Sequence, residues 1–334
     1  MAPIYPVHKH DLSTGAYLDA NDKPTTDPSQ YVYDYLGTRL ANNGRDAIAE
    51  TLMNNRELNR NSQNAHTYMT ITPLEGLNLT MNYSYENTDY RGKVYENPLV
   101  GDGTAGPGRL NQTSTRGTTQ TLNELLTYSK KVGNHTFDAL LGHENFRYKY
   151  EYLYGMKTQE TVSGLYEFGN FVTISELNSY TDNYRKEGYF GRINYDYLGK
   201  YYASVSYRHD GSSRFSKDNR WGDFWSFGAS WRISEENFMK QYEWVNNLKL
   251  RASYGETGND AILDSDGYDS YYPYQTLYGL GYNSNTEAGA YFKTIANSNL
   301  KWETQVSTDI ALEFSLFNRL SGSIEFFKKD SKDL

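Results

Sequence analysis

The sequence predicts an all-β protein: an antiparallel transmembrane β-barrel, present in part as about ten strands with short periplasmic turns and long extracellular loops. The first sign is a two-residue rhythm between Glu187 and Tyr254. Ile193, Tyr195 and Tyr197 alternate with Arg192, Asn194 and Asp196, and Trp225, Phe227, Ala229, Trp231 and Ile233 alternate with Ser226, Gly228, Ser230 and Arg232. Neighbouring side chains of a strand point to opposite faces, so each segment has one oily and one polar side. The second sign is length. Soluble strands run about 5–6 residues, whereas a tilted membrane strand needs about 9–11, which these segments reach. The third is that short and long connections alternate along the chain. A soluble β-sandwich shows the same alternation with its apolar side turned inward. Strand length and loop asymmetry favour the barrel.

Taken in order, residues 1–64 are polar and loop-like, an expected extracellular segment with a helix-spaced patch, Ala47, Ile48 and Leu52, inside Arg45–Asn54. Residues 65–334 are the expected barrel portion. Strand Ala65–Thr72 turns at Pro73–Gly76 into Leu77–Arg91, and a Gly-rich loop, 92–117, leads to Thr118–Lys131. Val132–Asn134 turns into His135–Tyr150, and a long connection, 151–186, follows. In the central block Leu198-Gly199-Lys200 is a tight turn and Asp210–Arg220 a longer loop. Glu235–Lys240 reads as a short helix capped by Ser234. After Leu248–Tyr254 comes the longest loop, 256–300. A strand from Trp302 to Leu316, a turn at Phe317–Arg319 and a strand Leu320–Lys329 end the pattern. Antiparallel pairing then sends all four long loops to one rim. Leu79, Met81, Trp231, Ile310, Leu312 and Phe314 are expected to face lipid. Asn82, Ser230, Arg232, Asp309 and Glu313 are expected to face the lumen. Aromatic girdles should include Tyr83 and Tyr85 toward the outer side, Tyr195 and Tyr197 beside the short turn, and Trp302 at the outer end of its strand.

Composition narrows the function. A net charge of −8 with no basic stripe argues against nucleic acid as a partner. With no cysteine, disulfides, thiolate metal sites and cysteine nucleophiles are excluded. The 33 tyrosines, 14 phenylalanines and 5 tryptophans suit a surface that meets both oil and water. No apolar run of about 18 residues could form a membrane-spanning helix. The mean hydropathy of −0.79 does not argue against a barrel, whose strands keep one polar face.

Short motifs give little chemistry. Gly101, Gly103 and Gly106 spell G-x-G-x-x-G, but Pro107 and Gly108 follow and no helix does, so a loop is expected rather than a dinucleotide site. Asp264, Asp266 and Asp269 around Gly267 miss the spacing of a calcium loop. His8 and His10 stand without a ligand set, so no metal site and no cofactor are expected. No G-x-S-x-G nucleophile occurs, and Asp210-Gly211-Ser212-Ser213-Arg214 reads as loop chemistry. The chain is not expected to be an enzyme. The loop Tyr268-Asp269-Ser270-Tyr271-Tyr272-Pro273-Tyr274 offers aromatic rings for the apolar faces of sugars beside polar groups for their hydroxyls. Tyr268, Tyr271, Tyr272 and Tyr274 are therefore the candidate contacts to substrate or to a lid.

The block GRINYDYLGKYYASVSYRHDGSSRFSKDNRWGDFWSFGASWRISEE, with LKLRASYGETGN after it, resembles the barrel of SusC/RagA-family TonB-dependent outer-membrane transporters. NLKWETQVSTDIALEFSLFNRLSGSIEFFKKDSKDL is similar to a later barrel segment of that family, and MAPIYPVHKHDLSTGAYLDANDKP to one of its extracellular segments. The resemblance implies a barrel in the outer membrane of a Gram-negative bacterium that imports bulky nutrients, oligosaccharides or peptides. It implies a SusD-like surface lipoprotein as lid and the TonB–ExbB–ExbD complex as energy source, coupled through a plug domain and TonB box. Signal peptide, TonB box, plug and closing strands are not found in this sequence, so it is expected to be an internal fragment with two open strand edges. The alternatives are a passive or structural outer-membrane barrel and a soluble glycan-binding β-sandwich.

Overall fold

The structure is a computed structural model that describes residues 6–34, 45–283 and 287–332. Its strands are β1 (Asn55–Leu74), β2 (Leu77–Glu96), β3 (Arg109–Val132), β4 (His135–Glu160), β5 (Phe171–Tyr197), β6 (Tyr201–Ser212), β7 (Trp221–Arg232), β8 (Val245–Asn259), β9 (Leu277–Leu280), β10 (Ala290–Thr294), β11 (Glu303–Leu316) and β12 (Leu320–Lys332). Ten of them form one sheet in the order β1-β2-β3-β4-β5-β6-β7-β8-β11-β12, with β1 and β12 at its edges. Strands β9 and β10 pair as a separate hairpin inside the last long connection. The all-β architecture expected from the alternation is present.

The tight turns fall where turn chemistry places them. Leu198 and Gly199 both take positive φ, and the Lys200 N–H donates to the Tyr197 carbonyl at 3.0 Å, which makes a type I′ turn. Phe317 and Asn318 do the same, with Arg319 N–H donating to Leu316 O at 3.1 Å. Type I′ geometry matches the twist of the strands it joins. A helix of about two turns, α1 (Ala47–Met53), is capped by Asp46, whose carboxylate accepts from the Ile48 and Ala49 N–H groups at 3.0 Å each.

The strands outrun their expected ends. The first begins at Asn55 rather than Ala65, and the connections expected over 92–117 and 151–186 shrink to 97–108 and 161–170. In these extensions apolar residues such as Leu153, Val172, Ile174 and Leu177 are scattered among polar ones without a sustained two-residue period, although the backbone stays paired. The helix expected over Glu235–Lys240 is absent. A 3₁₀ turn spans Ile233–Glu235, its cap is Arg232 rather than Ser234, and turns follow. Glu236 explains why: its carboxylate accepts from Tyr201 Oη at 2.5 Å, Trp231 Nε1 at 3.2 Å and Lys200 Nζ at 3.3 Å. Two strand-borne donors and one from the β5–β6 turn hold the segment against the β6–β7 end.

The chain divides into two compact units. One comprises 1–63, 87–117 and 150–181. Its small core is Tyr95, Leu110 and Phe171, backed by Tyr166 and Phe168. The other comprises 64–86, 118–149 and 182–334 and contains the central block. Its core is Phe215, Phe224 and Trp302, backed by Ile262 and Leu300. Trp302 is thus buried, with its indole N–H donating to the Arg220 carbonyl at 2.8 Å, and is no girdle residue. Gly258 makes room for this core, since a Cβ there would lie 2.2 Å from the Phe224 ring.

Register in this second unit sorts the faces. Tyr195, Ala203, Ala229, Ala252, Ile310 and Phe326 lie in one row across six strands, and Tyr197, Tyr201, Trp231, Leu250, Leu312 and Ile324 in another. The opposite face carries Asn194, Ser204, Gly228, Ser253 and Asp309. On it Arg251 pairs with Asp309 at 3.6 Å, Glu313 at 3.1 Å and Glu325 at 2.8 Å, and Ser253 Oγ donates to Asp309 at 2.8 Å. Ile193, Phe227, Ile310 and Ile324 are 53%, 53%, 54% and 55% exposed, so no described residue covers the oily face there. Aromatic rings bound that face at both ends. Near the turns stand Tyr195, Tyr197, Tyr201 and Trp231, with Trp244 stacked on Phe317 at 5.3 Å. At the far end Trp221 stacks on His209 at 4.6 Å and meets Tyr189 at 6.3 Å, while Tyr207 packs on Trp225 at 4.2 Å. From Tyr197 to Tyr189 the strand runs roughly 26 Å at about 3.3 Å per residue, which at a barrel tilt of about 35–45° spans roughly 20 Å of the roughly 25 Å apolar band.

Candidate functional site

The loop that carries Tyr268–Tyr274 leaves β8 and is tied down by a buried latch. Strand β6 ends at Ser212, while β5 continues beyond its last pair with β6, Lys186 with Ser212, so the upper edge of β5 has no strand partner on that side. Open backbone groups need partners. Ser213 N–H donates to Arg185 O at 2.9 Å, Arg185 N–H donates to Ser213 Oγ at 3.0 Å, and Asn183 N–H donates to Tyr272 Oη at 2.8 Å. A tyrosine hydroxyl thus stands in for a ladder acceptor.

Arg214 is the centre of the latch and is only 5% exposed. Its guanidinium lies over the rings of Tyr184 and Tyr271 at 4.7 and 5.2 Å. It donates to Asp269 Oδ1 at 2.7 Å and to the Asp260 carbonyl at 3.2 Å. The Asp260 carboxylate accepts from Tyr184 Oη at 2.5 Å and Ser212 Oγ at 2.7 Å, with Lys186 Nζ 3.7 Å away. A buried cation therefore has a carboxylate, a carbonyl and two π-faces around it, and a buried carboxylate has two hydroxyls.

The four candidate tyrosines do not share one environment. Tyr271 packs against Tyr184 at 5.9 Å and Tyr148 at 6.1 Å, on the strand face opposite Ile193. Tyr272 caps β5 and, with Tyr274, borders a recess near Arg147 and Arg185. Tyr268 is 72% exposed at the loop tip. The acidic residues beside them serve the loop: Asp264 accepts from the Asp266 and Tyr268 N–H groups at 3.0 and 2.9 Å, and Asp269 holds Arg214.

Burial pushes the Tyr271 hydroxyl up to about 12, helped by Tyr148 and Asp269 and opposed by Arg214. A raised pKa means that the folded loop keeps the proton longer than the unfolded chain. The contribution to stability is whole below the ordinary tyrosine value of about 10 and is lost between there and about 12. Absorbance titration at 295 nm, compared with Tyr271→Phe, should assign this residue a midpoint near 12; a midpoint near 10 would contradict its burial.

Sequence reasoning missed two things. Ser212, Arg214 and Phe215 read as loop residues from their Gly and Ser neighbours, yet Ser212 and Phe215 are fully buried. Only the specificity of the surrounding block hinted at a structural role. The run Tyr148, Tyr150, Tyr152, Tyr154 alternates in plain sight, but ending that strand at Tyr150 hid it. In the first unit Tyr152 stacks on Tyr180 at 4.9 Å and borders a recess with Arg91 and Glu151. Rings beside charged groups there have the same mixed character that the Tyr268–Tyr274 stretch has.

A sheet of long strands with an uncovered oily face, aromatic bands at its two ends and a charged opposite face is the wall of a membrane β-barrel. The chain belongs to the family described as "TonB dependent receptor-like, beta-barrel", which it matches over residues 6–334. It is similar to TonB-dependent receptor P3 of Formosa agariphila, 31% identical over 320 residues that cover 92% of this chain and 31% of that protein. It is similar also to TonB-dependent receptor SusC of Bacteroides thetaiotaomicron, 33% identical over 213 residues, 62% of this chain and 20% of that one. The chain thus spans about a third or less of these relatives. In fold it resembles the solved RagAB peptide transporter, with a TM-score of 0.78 at 23% identity over 93% of this chain and 34% of that chain.

Proposed function

We propose that this segment is barrel wall of a TonB-dependent transporter in the outer membrane of a Gram-negative bacterium, importing oligosaccharides or peptides and not acting as an enzyme. The observation that carries this is the two-faced sheet with aromatic bands on its oily side. Its polar face, with the Arg251 network, suits a hydrated passage. The similarity to SusC and to the RagAB peptide transporter supports a bulky nutrient and a SusD-like lipoprotein as partner, with TonB–ExbB–ExbD as energy source. In this reading Tyr271 and the exposed Tyr268 are the first of the four tyrosines to meet substrate or lid, and Tyr272 and Tyr274 hold the loop in place.

The test replaces Tyr268 and Tyr271 with alanine in the full-length protein, with heat-resistance of the barrel as folding control. The expected outcome is a roughly 5- to 150-fold loss of nutrient uptake or of lid co-purification, since stacking on each of the two aromatics is worth about 0.5–1.5 kcal/mol. Unchanged uptake and co-purification in a folded barrel would leave both rings as loop packing.

A further inference from the structure

Just beyond the far aromatic band, on the same outward face, lies a recess of about 660 Å³. Arg147, Arg185 and Arg220 line it together with Asn145, Asn183 and Trp221. Trp221 belongs to the aromatic band, so recess and band are continuous.

The charge there is not neutralised. Arg147 donates to Asn145 Oδ1 at 3.1 Å, an amide and not a carboxylate. The Arg220 Nε is buried without a hydrogen-bond partner. Among the described residues none of the three arginines forms an ion pair with a carboxylate. The one acidic side chain in the lining, Glu187, already accepts from Tyr189 Oη at 2.9 Å and faces His143 Nε2 at 3.3 Å. Lys186 is turned toward Asp260. In a chain of net charge −8, three clustered guanidiniums left without anions call for an external one.

Depth and facing say which anion. Arg185 stands four residues above Tyr189 on β5, roughly 13 Å along the strand at about 3.3 Å per residue. That is head-group level if the aromatic rings mark the edge of the hydrocarbon. We propose that this recess binds the phosphate groups of a phosphorylated glycolipid in the outer leaflet. The inference rests on the outer-membrane reading above. Planar guanidiniums grip phosphate oxygens in pairs, the two asparagines offer amide donors to sugar hydroxyls, and Trp221 packs where head group meets acyl chain.

The test uses the full-length protein in nanodiscs with native mass spectrometry as readout. Discs contain phosphorylated glycolipid, the same lipid dephosphorylated, or neutral phospholipid with millimolar inorganic phosphate. The phosphorylated lipid should stay bound to the wild type, and the Arg147→Gln, Arg185→Gln, Arg220→Gln triple variant should lose it about tenfold or more. Equal retention of phosphorylated and dephosphorylated lipid by the wild type would overturn the proposal without any variant. Capture of inorganic phosphate with no lipid adduct would overturn the lipid source. Membrane fractionation runs beside this: a protein absent from the outer membrane defeats the transporter reading, whereas one present there without lipid selectivity defeats this inference alone.

Discussion

Leu312→Arg in the full-length protein should destabilise the inserted barrel by about 2–4 kcal/mol, the cost of a cation on the lipid face near the bilayer midplane. Leu312 sits between Leu250 and Ile324 in the turn-proximal row of the oily face, where no described residue supplies an anion. The neighbouring Glu313 faces the other way, toward Arg251, so Glu313→Arg should act through lost ion pairing instead. Half-exposed ion pairs contribute only about 0–1 kcal/mol. Urea-driven unfolding from bilayers measures both. The contrast between adjacent residues matters more than either value, because a two-residue period is what the lipid reading requires.

Arg214→Ala should have the largest effect outside the membrane. Arg214 is buried but its partner Asp269 is half-exposed, so the cost is that of the lost charge-assisted hydrogen bonds and the lost packing, about 2–3 kcal/mol. The substitution removes the donors to Asp269 and to the Asp260 carbonyl and opens the gap between Tyr184 and Tyr271. The cost falls on the loop and not on the sheet, because the strands below are held by their own ladders. Hydrogen exchange should therefore speed up over 260–276 and at Asn183, whose N–H depends on Tyr272, and stay slow in β6 and β7. Exchange that is unchanged over 260–276 would remove Arg214 from its role as latch.

The parts of the fold legible in the sequence are those where burial against oil imposes a period. Ile193, Val205, Phe227 and Leu250 announce their faces, and Gly199 and Asn318 announce their turns as residues that accept positive φ, whereas Leu198 and Phe317 take it against their own preference. Strand ends beyond the apolar band were not legible, because Arg109–Gly117 and Phe171–Lys186 pair without a sustained difference in hydropathy between faces. Trp302 looked like a girdle residue by position, and only the packing of Phe215, Phe224 and the gap at Gly258 shows why it is buried. The latch was invisible for a different reason: Arg214 and Asp260 are 46 residues apart in sequence and meet only through the fold.

Site-directed spin labelling along β11 tests the central claim most directly. This segment has no native cysteine to interfere. Labels at Ile310, Leu312 and Phe314 in the full-length protein in bilayers should collide readily with oxygen and poorly with a water-soluble nickel chelate. Labels at Asp309 and Glu313 should show the reverse. Even-numbered sites closed to both reagents would mean that protein, not lipid, covers the oily face, and would contradict the membrane-barrel account.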